Sequence, residues 1–123
     1  MDITPDALLA KAQDFISDLK AEQIVVLHVN DITDITDYMI IASGNSTQHV
    51  RSIARNVRTE AKKLGLEVFS AEGLDRGEWV LIDLGDVIVH VMLPEVRDYY
   101  QLEKLWSVED IVTGASSDSE YNA

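Results

Sequence analysis

A chain of 123 residues with no cysteine can form neither a disulfide framework nor a thiolate zinc site, and it is long enough for one domain around one hydrophobic core. Its 22 acidic against 10 basic residues leave a net charge of −12 and a pI near 4.4, a field that repels phosphate backbones in general and attracts basic proteins. No apolar run approaches the ~20 residues of a membrane span and no signal peptide is visible at the start, so the expected address is the cytoplasm, without a membrane partner.

Thr4-Pro5-Asp6 predicts a helix start: a hydroxyl N-cap, proline at the first helical position and an acid at the positive end of the helix dipole. Leu8, Leu9, Ala12, Phe15, Ile16 and Leu19 follow at helical spacing. Residues 24–29 and 38–43 read as strands, with a polar turn between them. A second helix is expected after Asn45 or Ser46, with Val50, Ile53, Ala54, Val57, Ala61 and Leu64 as its inner stripe and Gly65 as its stop. Residues 66–71 read as a third strand and residues 95–106 as a last helix carrying Val96, Tyr99, Tyr100, Leu102 and Leu105. The fold class is therefore α/β (α+β): one mixed sheet of about five strands with helices mainly on one face. The domain is expected to fill residues 1–107, and residues 108–123, acidic and rich in Ser, Gly and Ala, read as a disordered tail.

Residues 79–92 hold the most informative pattern. Gly85-Asp86 separates two β-type runs and suits a two-residue hairpin loop, which places residues whose numbers sum to 171 opposite each other. Val80, Ile82, Leu84, Val87, Val89 and Val91 then share one aliphatic face. Trp79, Leu81, Asp83, Ile88, His90 and Met92 share the other, a mixture suited to contact with another molecule. His90 is expected either to donate to that partner, oriented by Asp83, or to be solvated or paired within the chain. If every helix covers the aliphatic face, the Trp79 face has only solvent or a partner to meet.

The stretches from Asp34 to Gly44, Glu72-Gly73, Trp79, Asp83-Leu-Gly-Asp-Val-Ile-Val-His-Val91 and Leu102-Glu-Lys-Leu-Trp106 resemble the ribosomal silencing factor family, also called Iojap or RsfS, over about residues 8–107. The resemblance implies a translation repressor that is not an enzyme and needs no cofactor. It implies docking on ribosomal protein fourteen of the large ribosomal subunit, at the face that joins the small subunit, so that bulk alone keeps the subunits apart when nutrients are scarce. It further implies a link to large-subunit maturation, a nucleotidyltransferase-like fold without the catalytic motif, and homodimers in some members. The acidic charge suits a basic ribosomal protein independently of any likeness. The expected contact residues are Trp79, Leu81, Asp83, Ile88, His90 and Met92 with Glu72, while Arg97 and Glu103 border the surface.

Three other patterns carry competing chemistry. Asp31, Asp34 and Asp37 recur every third residue but lack the alternate-position ligands, glycine and glutamate of a calcium loop, so turn formation is the better reading. Gly44-Asn45-Ser46 between strand and helix is similar to the phosphate-holding turn of a nucleotidyltransferase, the rival functional reading, yet no pair of carboxylates follows on one strand face to hold Mg²⁺. Arg51, Arg55, Arg58 and Lys62 form one stripe on the second helix: either a solvated face or a peripheral contact to ribosomal RNA or to a second copy.

Overall fold

The computed structural model describes residues 3–105. Helix α1 (Pro5–Asp18) starts as expected, the Thr4 hydroxyl accepting the Ala7 N–H at 3.2 Å. Strands β1 (Glu22–His28) and β2 (Tyr38–Ser43) follow, then helix α2 (Thr47–Lys63), capped by the Ser46 hydroxyl. Next come β3 (Ser70–Glu72), β4 (Trp79–Asp83), β5 (Val87–Met92), and the short helices α3 (Pro94–Tyr100) and α4 (Leu102–Leu105). No described helix is long and apolar enough to cross a membrane.

The five strands form one mixed sheet in the order β1-β2-β5-β4-β3. Only β2 and β5 are parallel neighbours; every other adjacent pair is antiparallel. These pairings make β3 run with β2, so α2 connects two parallel strands with β5 and β4 between them. The third strand is three residues rather than the six expected. The exit from α2 explains the loss. Gly65, at φ +73°, donates to the Lys62 carbonyl while the Leu66 N–H reaches back to the Ala61 carbonyl, a Schellman arrangement that draws Leu66 into the core instead of into a strand.

The hairpin has the expected register, from Trp79 opposite Met92 to Asp83 opposite Ile88. The Leu84 N–H bonds the Val87 carbonyl, leaving Gly85 and Asp86 as the loop, and Gly85 stands at φ +94°. An Asp83 carboxylate oxygen accepts the Gly85 N–H at 2.8 Å. Gly85→Ala forces a side chain into that left-handed conformation, and its methyl would lie 2.9 Å from the Phe69 ring. A loss of about 1–2 kcal/mol is expected, read as a thermal midpoint lower by several degrees.

The two sheet faces are covered differently. Val80, Ile82, Leu84, Val87, Val89 and Val91 pack with Ile40 and Ala42 beneath α1 and α2. The last helical segment lies on the opposite face, which corrects the picture of all helices on the aliphatic side. There Val29, Met39, Ile41, Met92 and Leu102 form a second, smaller core, flanked by Leu27, Trp79 and Val96. The single expected helix is also broken in two by Gln101, whose φ of 50° and ψ of 48° end α3 in a left-handed turn. Trp106 and the acidic tail lie outside the described residues.

Candidate functional site

The second sheet face divides into a covered half and an open half. Over β2 and β5 Met92 is completely buried against Leu102 of α4, and Ile88 and His90 are buried as well. Along β4 and the edge strand β3, Trp79, Leu81 and Asp83 stay half-buried and Glu72, opposite Leu81, is exposed. Parity therefore places the six hairpin residues on one face as expected, but only part of that face is open to a partner. Met92, Ile88 and His90 support the surface from beneath instead of forming it.

Trp79 sits at the boundary between the halves. Its indole N–H donates to Nδ1 of His90 at 2.9 Å, with the ring centroids 5.9 Å apart. Its other flank meets the Tyr100 ring at 4.9 Å, and Tyr99 packs edge-on against Tyr100 at 5.2 Å. Tyr99 is 82% exposed and Tyr100 57%, so an aromatic ledge continues outward from Trp79. The sequence offers these tyrosines only as residues of the last helix, not as contact residues. Gly73 lets the chain leave β3 beside Trp79: at φ +91°, any Cβ there would stand 2.1 Å from the Trp79 carbonyl oxygen.

His90 is oriented by Trp79, not by Asp83, whose carboxylate is engaged with the hairpin loop. Accepting at Nδ1 requires the neutral ring, with its proton on Nε2. Desolvation lowers its pKa from 6.5 to about 4, in agreement with a neutral ring. Because the folded state resists protonation, stability from this group is fully present above pH 6.5 and is lost as pH falls toward 4, by about 3 kcal/mol in total. His90→Gln, which keeps an acceptor for the indole but does not titrate, should lose less stability over that window in parallel urea titrations.

Arg97 and Glu103 are not bordering contacts of equal kind. Arg97 is 6% exposed; its guanidinium donates from Nε and Nη2 to the Glu103 carboxylate, at 2.9 Å for the Nη2 bond, and from Nη1 to the Ser43 hydroxyl at 2.9 Å. It clasps α3 to α4 and both to the end of β2. Glu103 keeps partial exposure beside it.

The turn that resembles a phosphate cradle is committed elsewhere. The Gly44 N–H bonds the Met92 carbonyl, the Asn45 N–H bonds Nδ1 of His49, and the Ser46 hydroxyl takes the His49 N–H. Around the Asp31–Asp37 turn, the Thr33 hydroxyl accepts the Ile35 N–H and the buried Thr36 hydroxyl donates to the Tyr38 carbonyl, as the turn-forming reading expects. Arg51 donates to the carbonyls of Asp75 and Arg76, pinning the loop after β3.

Fold and site together define a small α/β domain whose exposed chemistry is an aromatic ledge on a partly open sheet face. Residues 2–122 match the family model described as "Ribosomal silencing factor during starvation". Ribosomal silencing factor RsfS of Chromobacterium violaceum is 44% identical over 91 residues, covering 74% of this chain and 75% of that protein. The mouse "Mitochondrial assembly of ribosomal large subunit protein 1" is 36% identical over 91 residues, which cover 72% of this chain and 40% of the longer mouse protein. A crystal structure of a Chromobacterium violaceum protein superposes with a TM-score of 0.83 at 34% identity, covering 98% of this chain and 94% of the other. The chain belongs to the ribosomal silencing factor family.

Proposed function

We propose that this protein represses translation by occupancy in the cytoplasm, docking its Trp79 ledge on ribosomal protein fourteen of the large subunit and so excluding the small subunit. The observation that carries the reading is the half-open aromatic surface of Trp79, Tyr99 and Tyr100, bordered by Leu81, Glu72 and Asp83, in a chain of net charge −12. Aromatic anchors within a charged surround are what a tight, specific contact with a basic protein requires. The family relatives are named for ribosome silencing and for large-subunit assembly, and both activities suit a protein that sits on that subunit. No reaction and no cofactor form part of the reading; the committed N–H groups of the Gly44 turn argue against nucleotide turnover. The basic flank of α2 adds a peripheral contact to ribosomal RNA.

Subunit joining tests the reading. Purified large subunits are incubated with excess protein, small subunits are added, and the joined fraction is measured by sucrose-gradient sedimentation. Fewer joined ribosomes are expected, with the effect weakening as salt rises because opposite charges assist the encounter. Undiminished joining at saturating protein would reject it. The same ledge could instead pair two copies; sedimentation velocity of wild type and Trp79→Ala separates this outcome, since only a dimer through the ledge would dissociate on substitution.

A further inference from the structure

Half of the chain's ten basic residues lie on α2, and the helix carries a single acid, Glu60, which is bridged to Lys63 at 3.0 Å. Arg55, Arg58 and Lys62 line, with Thr59, a shallow open depression of about 280 Å³. Among the described residues none of these three cations has a carboxylate partner. In a chain with more than twice as many acids as bases, a run of three cations left unneutralised marks a surface that meets an anion.

Its position within the fold is specific. The helix buries Val50, Ile53, Ala54, Val57 and Ala61, and the three cations stand about 100° round the helix from that stripe. On the other flank the Asn56 amide donates to the Phe15 carbonyl of α1, so the cations line the flank away from α1. Arg51 on that same flank pins the loop after β3, and Gly73 at the start of this loop packs against the backbone of Trp79. The basic ridge thus continues along α2 from the Arg51 contact, which reaches through this loop to the backbone beside Trp79.

We propose that Arg55, Arg58 and Lys62 form a contact for the phosphate backbone of RNA beside the protein docked on the Trp79 ledge, a proposal that rests on the ribosomal reading for its setting but on its own residues for its chemistry. Successive cations rise by about 4.5 and 6 Å along the helix axis, a pitch suited to a row of phosphates and not to one isolated anion. Two of the three are guanidinium groups, whose planar forks bind phosphate oxygens in pairs. Arg51 is excluded from the contact, because its guanidinium is already held by loop carbonyls, and Lys62 takes its place. The overall acidity confines RNA contact to this ridge and keeps it dependent on what else is bound.

The test uses the intact chain in two arms. The first compares wild type, Trp79→Ala and the triple variant Arg55→Gln, Arg58→Gln, Lys62→Gln for co-sedimentation with large subunits between 50 and 200 mM salt, after circular dichroism confirms folding. Loss of three phosphate contacts should flatten the dependence of log affinity on log salt by about 2–3, equivalent to about 15- to 60-fold over that range. Trp79→Ala should lower affinity with the slope retained. In the second arm the absence of cysteine allows a photoreactive maleimide to be placed uniquely through Thr59→Cys, with cross-linking to large subunits and to their extracted RNA. Adducts with RNA support the proposal; adducts only with ribosomal protein or a second copy, or an unchanged slope in the triple variant, overturn it. Ridge-dependent adducts with extracted RNA but none of the expected binding to subunits would reject the docking reading while the ridge stands, and no RNA adduct in either setting rejects the ridge.

Discussion

Replacing Trp79 by alanine is expected to weaken binding to the large ribosomal subunit about thirtyfold or more, the consequence of losing ~2 kcal/mol from a central aromatic anchor. The structure sharpens why. The indole N–H is spent internally on His90, so what the ring offers a partner is its apolar surface, locked in orientation by that bond on one flank and by Tyr100 on the other. A locked ring loses little rotamer freedom on docking, so most of its contact energy appears as affinity. The measurement is a co-sedimentation isotherm, with Tyr100→Ala as a companion that removes the neighbouring ring and should weaken binding less. Because Trp79 only flanks the smaller core, the variant should retain its circular dichroism spectrum, and the larger core beneath α1 and α2 contains none of its contacts. Affinity within threefold of wild type would remove the ledge as the docking surface.

How much of this was readable from the chain follows from the physics of each element. The hairpin was legible because side-chain alternation has a period of two and a Gly-Asp loop fixes register; once Gly85 was placed, every pair from Trp79–Met92 to Asp83–Ile88 followed. The helix caps at Thr4 and Ser46 were legible because a hydroxyl before a helical run has one favourable use. The last helix was not legible, because its phase depends on Gln101 entering a left-handed conformation, which nothing in residues 94–105 announces. Extending one stripe through Val96, Tyr99 and Leu102 assumed an unbroken helix; the break turns Leu102 inward and leaves Tyr99 outside. A basic residue at position 97 also reads as surface until Ser43 and Glu103 are seen to satisfy its guanidinium. The open and covered halves of the sheet could not be told apart for the same reason: which residues a helix covers is a tertiary outcome, while which face they share is a local one.

Met92 gives the sharpest contrast with Trp79, since the two stand directly opposite each other on neighbouring strands. Alternation alone makes them equal partners in docking. The structure makes Met92 a core residue, fully buried with Met39, Ile41, Val29 and Leu102, so Met92→Ala is expected to cost 2–5 kcal/mol of stability, roughly the range for emptying a buried methionine site. Equilibrium urea denaturation should show the midpoint fall with the slope unchanged, and Met92→Leu, which nearly conserves volume, should cost under ~1.5 kcal/mol. The cavity lies beneath the α3–α4 corner that carries Tyr99 and Tyr100, so any weakening of subunit binding should follow the fraction of protein unfolded and vanish below the unfolding range. Trp79→Ala must behave in the opposite way, losing affinity where nearly all the protein is folded. Two adjacent side chains on one face, one reporting in stability and the other in binding, would establish that the boundary between the covered and open halves runs between them; equal effects of both on affinity in the fully folded state would place the boundary elsewhere and make the α3–α4 corner a movable cover.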